Sequence, residues 1–204
     1  NGDNSTCTGC MDENAINFDN TATIACNDCC EYYECPEGYI ENPLYTSSDD
    51  EYCMPDEFIY FSSTVFSFYY FISVTLNDQF LGSDDWVGAF NGDVCVGARK
   101  WDISQCGGGV CDLPIMGYDG SDLTEGYMLS CQIPTFKIFD ASNLEYVNAL
   151  PSEEIEFVQM GSPIIDSLSA YLDILGCTDL EACNYNSEAT EDDESCLYND
   201  CTGE

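Results

Sequence analysis

The two ends of the chain repeat each other, and this sets the organisation of everything between them. Placing Cys10 on Cys177 brings Gly9 onto Gly176, Asp12 onto Asp179, Ala15 onto Ala182 and Asn17 onto Asn184 without a gap. The match continues with Phe18 on Tyr185, Asp19 on Asn186, Ala22 on Ala189, Thr23 on Thr190 and Cys29 on Cys196. Self-similarity of this kind marks a small folding unit used twice. The expected divisions are an acidic cysteine-rich repeat at 1–34, a connector at 35–57 closed by Cys35 and Cys53, a β domain at 58–175, and a second repeat at 176–204.

The shared form is G-C-x-D-x-x-A-x-N-aromatic-D/N-x-x-A-T followed by a cysteine. It resembles the acidic repeat G-C-T-D-x-x-A-x-N-Y-x-x-x-A-T-x-D-D-x-S-C of large secreted surface proteins of aquatic microbes, which is loosely similar to thrombospondin type 3 repeats. The resemblance implies a small calcium-stabilised module. Calcium takes six to eight hard oxygens from carboxylates, amide carbonyls and backbone. The second repeat offers Asp179, Asn184, Asn186, Asp192 and Asp193 at the motif positions, with Glu181, Glu188, Glu191 and Glu194 nearby. The first keeps Asp12, Asn17 and Asp19, but Ala25 and Cys26 replace the Asp192–Asp193 pair, and Asp28 is expected to compensate. The plainer alternative is a set of solvated loop carboxylates.

Fifteen cysteines in 204 residues argue for an oxidising, extracellular setting, secreted or at the cell surface. Fifteen is odd, so at least one thiol is free, metal-bound or paired with another chain. The disulfide candidates are Cys10, Cys29, Cys35, Cys53, Cys106, Cys111, Cys177 and Cys196. Cys7-x-x-Cys10 and Cys26-x-x-Cys29 also have four-thiolate zinc spacing. The repeat speaks against zinc, because Ile174 and Asp193 stand where Cys7 and Cys26 would be needed in the second copy. A start at Asn1 without a leader fits a mature secreted product. Asn4-Ser5-Thr6 is an N-glycosylation sequon. No apolar run approaches the ~18 residues that a membrane helix needs.

Charge narrows the function classes. Three basic side chains against 39 acidic ones give 3 − 39 = −36, with no histidine. Nucleic-acid binding and polybasic attachment to anionic lipid are excluded. So are catalytic triads and zinc sites built on histidine. With this many acids, a carboxylate pair at glycosidase spacing carries no information, and no enzyme is expected. Charge this dense usually keeps a chain unfolded, but 14 Tyr, 11 Phe and 2 Trp supply enough apolar surface for a core.

That core is expected in an antiparallel β-sandwich, mainly β, flanked by the two small disulfide-rich, calcium-binding loop modules. In the first strand Phe66, Phe68, Tyr70, Ile72, Val74 and Leu76 alternate with Ser67, Tyr69, Ser73 and Thr75, and Phe71 breaks the polar side. Asn91-Gly92 predicts a type I′ hairpin pairing Ala89 with Val94 and Val87 with Val96. Further strands are expected at 133–139, around 155–158 and at 168–174. The loop Tyr118–Gly126 is a second candidate cation site or an ordinary turn, Gly107-Gly108-Gly109 a disulfide-closed turn, and Trp86 and Trp101 core residues or sugar-stacking platforms. The stretches 84–99, 106–111 and 134–140 resemble a β domain found beside the same acidic repeats, which implies an extracellular modular surface protein.

The leading expectation is a non-enzymatic structural subunit whose copies assemble head to tail into a calcium- and disulfide-stabilised fibre or surface layer. An edge or donated strand within 58–76 would supply the contact. The alternative is a monomeric calcium-dependent adhesin or glycan-binding module of a larger surface protein, with glycans as ligands.

Overall fold

A computed structural model of the chain describes residues 8–12, 15, 17–26, 28–31, 34–45, 52–173, 175–187 and 189–198. The chain forms two compact units, Asn1–Met54 and Pro55–Glu204. It is mainly β, and the short helical turns among the described residues are all of the 3₁₀ type. In the first unit β1 (Thr8–Gly9) pairs in parallel with β2 (Ile24–Ala25). β3 (Tyr39–Glu41) pairs with β4 (Cys53–Pro55), and a Cys35–Cys53 disulfide closes that connector.

The second unit contains β5 (Phe66–Leu76), β6 (Gln79–Phe80), β7 (Trp86–Asn91), β8 (Val94–Lys100), β9 (Cys111–Met116), β10 (Thr135–Asp140), β11 (Glu145–Pro151) and β12 (Ile164–Ala170). β13 (Leu175–Gly176) and β14 (Glu191–Asp192) follow as a separate parallel pair. The eight long-sheet strands run in the order β6-β5-β12-β11-β10-β7-β8, with β9 also on β5. β8 packs back against β9, so one sheet curls around its main core where two facing sheets were expected, and Phe58, Phe90, Phe139 and Tyr146 form a second aromatic cluster. All pairs in it are antiparallel except β12 with β5. The residues between those two strands in sequence supply the long crossover that a parallel pair requires.

β5 departs from its expected orientation. Ser67, Tyr69 and Phe71 are buried while Ile72 is exposed, and only from Val74 onward does the even-numbered face enter the core. β12 changes face at the same register, with Ile165 opposite Phe71 and Leu168 opposite Val74 all buried. A tight curl moves the core to the opposite side of both strands together. Tyr69 tolerates burial because its hydroxyl donates to the Ile155 carbonyl at 3.1 Å, and the Ser67 hydroxyl donates to Gly161 O at 2.9 Å.

The turn is displaced by one residue from its expected place, and with a bulge added the partners of Ala89 and Val87 move by three, to Gly97 and Arg99. Asn91 pairs with Val94, Phe90 with Cys95 and Ala89 with Gly97, with a bulge between Ala89 and Phe90. Gly92 and Asp93 make the turn. Positive φ falls on Gly92 (63°) but not on Asp93, which is the type II′ pattern rather than type I′. Residues 155–158 form no strand, although Phe157 is buried and bonded through its backbone to Cys131 and Gln132. β12 begins four residues earlier than expected, and Ile174 lies outside the described residues. β9 and β11 were not anticipated.

Candidate functional site

The repeated sequence folds twice into the same structure. β1 on β2 and β13 on β14 occupy equivalent positions, 8–9 with 24–25 and 175–176 with 191–192. In each module the aspartate carbonyl accepts from the alanine N–H three residues on, Ala15 to Asp12 and Ala182 to Asp179. Asp19 N–H donates to Cys10 O, as Asn186 N–H does to Cys177 O. Cys10, Cys177, Ala15 and Ala182 are buried. A Cβ at Gly9 would meet the Asp19 side chain at 2.9 Å and Ala22 at 3.1 Å, and one at Gly176 would meet Asn186 at 3.0 Å and Ala189 at 3.2 Å. The motif glycine therefore leaves room for the aspartate or asparagine and alanine side chains to pack directly on its backbone.

The asparagine is a clamp. Asn17 Nδ2 donates to Cys29 O at 2.7 Å, and its Oδ1 accepts from Glu31 N–H at 2.9 Å. Asn184 does the same with Ser195 O and Leu197 N–H, both at 2.8 Å. The partners differ by one residue between the copies, and so do the disulfides, Cys10–Cys30 against Cys177–Cys196. The first module thus carries one extra residue between Cys26 and Cys30, and Cys29 turns to Cys26 instead of Cys10. A gap-free alignment cannot show that insertion. These disulfides also engage three of the four thiols of the zinc alternative, while Cys7 lies outside the described residues.

The nine calcium candidates are distributed over these turns. Asp179 accepts from Glu181 N–H and from the Tyr198 hydroxyl, which together hold its carboxyl below the ordinary value. Asp193 accepts from the Ser195 hydroxyl and N–H, with the same effect. Asp192 accepts from Glu194 N–H, and Asp19 from the Thr21 N–H and hydroxyl. Asn186 closes a backbone turn to Ala189, Asp12 one to Ala15, and Asp28 holds φ at 60°. Both polar ends of Asn17 and Asn184 are used by the clamp. Among the described residues no three Asp, Glu or Cys side chains lie together as a metal-binding group.

In the loop 118–126, Asp119 is an organising acceptor. It takes bonds from the Thr124 hydroxyl (2.8 Å), Thr64 N–H (3.2 Å) and Ser121 N–H (3.0 Å), which lower its carboxyl to about 2. Cys106–Cys111 closes the three-glycine turn. Trp86 and Trp101 are buried in the domain. Cys95 is buried and free, its thiol pushed up to about 12 by burial, whereas Cys131 is free and exposed. Asn4 lies outside the described residues. Among the described residues no helix is long and apolar enough to cross a membrane. β5 is paired on both edges, to β12 and to β9 and β6, so it is not the open strand expected for donation. No family model, curated protein or solved structure matches the chain.

Proposed function

We propose that the chain is a non-enzymatic, extracellular structural protein whose end modules join neighbouring copies into a fibre or surface layer. The supporting observation is the module itself, built twice from the same turns and asparagine clamp and closed each time by a disulfide. Repeated units of this kind stack on neighbours rather than perform chemistry, and a head-to-tail contact that does not close propagates into a filament. Apolar side chains exposed on the modules supply contact surface, among them Phe18 and Ile24 in the first and Leu175, Leu180, Leu197 and Tyr198 in the second. With −36 charges per chain, contact between copies needs counterions. Calcium enters this reading as a divalent counterion between carboxylates of adjacent copies.

Negative-stain microscopy of the native protein tests it, in millimolar calcium and again after chelation. Filaments or sheets that disperse on chelation, and that magnesium restores, are the expected result. Single particles under every condition would overturn the reading, and glycan binding by the β domain would then be the question to ask.

A further inference from the structure

An apolar groove opens on the curled sheet between the start of β9 and the end of β6. Its floor is Phe71, Val74 and Trp101, all buried, and its walls are Ile72, Phe80 and Ile103, which are 55%, 76% and 56% exposed. The cavity measures about 80 Å³, and none of its lining residues is charged. At ~15 Å³ per water position, that holds on the order of five waters and so accepts one aromatic or branched aliphatic side chain. Large apolar side chains left in water around a ready-made cavity mark a binding surface more often than chance exposure does.

The surroundings of the groove select the occupant. Asp102 lies between Trp101 and Ile103, Asp166 lies beside Ile72 in the β5–β12 register, and Asp78 precedes Phe80 by two residues. The rim is therefore acidic around an uncharged centre. A second copy offers no spare cationic side chain to complement it, because Arg99, Lys100 and Lys137, the whole basic complement of the chain, already pair with Asp112, Asp84 and Glu57. We propose that this groove binds a segment of another protein that presents one aromatic or aliphatic side chain between lysines or arginines. The cations meet the rim and the apolar side chain fills the cavity. This surface is independent of the end modules and does not rest on the assembly reading.

The test titrates the full chain at 0.15 M salt with the synthetic peptides Lys-Lys-Phe-Lys-Lys and Lys-Lys-Ala-Lys-Lys, read by tryptophan fluorescence and by anisotropy of a labelled peptide. Any cationic peptide will be drawn to this protein, so the alanine peptide measures attraction alone. The phenylalanine peptide is expected to bind about tenfold tighter, the worth of one buried ring. Ile72→Ser and Ile103→Ser, each at an exposed wall, are expected to abolish that tenfold while leaving binding of the alanine peptide and the circular dichroism unchanged. Equal affinities for the two peptides would overturn the proposal, as would a tenfold advantage that survives both variants. Dimerisation in sedimentation that either variant abolishes would also overturn it, since the groove would then belong to a second copy.

Discussion

Gly97 shows how a single position can decide the curl of the sheet. A Cβ there would overlap the Pro114 carbonyl where β8 crosses β9. Gly97→Ala must push the two strands apart, which costs about 3 kcal/mol and lowers Tm by on the order of 10 °C in calorimetry. Asn184 acts through both ends of one amide. Asn184→Asp turns the Ser195 contact from donor against acceptor into acceptor against acceptor, and a loss of about 1–2 kcal/mol is expected by denaturant titration of the native protein. Asp119 carries a pH signature. Its carboxyl is depressed to about 2 by the Thr124, Thr64 and Ser121 donors, so its stabilising effect is full above the ordinary value near ~4 and disappears as pH falls through about 2. Asp119→Asn should flatten the acid limb of the stability profile across that window. The free thiols should separate in the same way that their environments do. Alkylation followed by peptide mapping is expected to mark Cys131 in the native protein and Cys95 only after denaturation, because burial holds the Cys95 thiol at about 12.

At the scale of elements, the end modules make the sharpest prediction. Asp179, Asp192 and Asp193 accept from backbone N–H groups of the second module, and the Cys177–Cys196 bridge spans 19 residues, a closure worth about 3 kcal/mol. Reduction should therefore open residues 175–198 to amide exchange, while chelation should leave them protected. Faster exchange on chelation alone would instead place a bound calcium ion within the module. The sequence made the modules legible because a motif used twice exposes its invariant positions. It did not reveal their chemistry, since an aspartate that caps a turn and one that ligates calcium use the same letters. The sheet was readable in class and in its strongest segments, β5, the β7–β8 hairpin and β10. Its faces were not, because alternation reports a flat strand and β5 changes sides between Phe71 and Val74. β9 and β11 escaped for a related reason. Pro114 and Pro151 argue against strands, yet both sit in the ladder of this sheet, Pro114 opposite Phe68 and Pro151 opposite Leu168.

Over the whole molecule, charge sets the conditions under which any of this is stable. Three ion pairs among the described residues stand against a net −36, so long-range repulsion outweighs specific attraction in the folded chain. Salt removes the repulsion and costs little else, because the screening length falls from about 30 Å at 0.01 M to about 10 Å at 0.1 M. Tm should consequently rise by several degrees with sodium chloride over that range, opposite to a protein held by surface salt bridges. Acid acts on the same balance with two signs. As pH drops from neutrality towards the ordinary carboxylate range, protonation of unpartnered acids relieves repulsion and stabilises the fold. The depressed carboxylates of Asp119, Asp179 and Asp193 contribute stability that is present above that range and lost below it. The two trends cross near pH ~4–5, which is where stability at low salt is expected to peak. High salt should erase the rise on the neutral side but not the acid collapse. A scan of Tm against pH at both ionic strengths separates the contributions, and a low-salt maximum at neutral pH would show that repulsion is not the term in control.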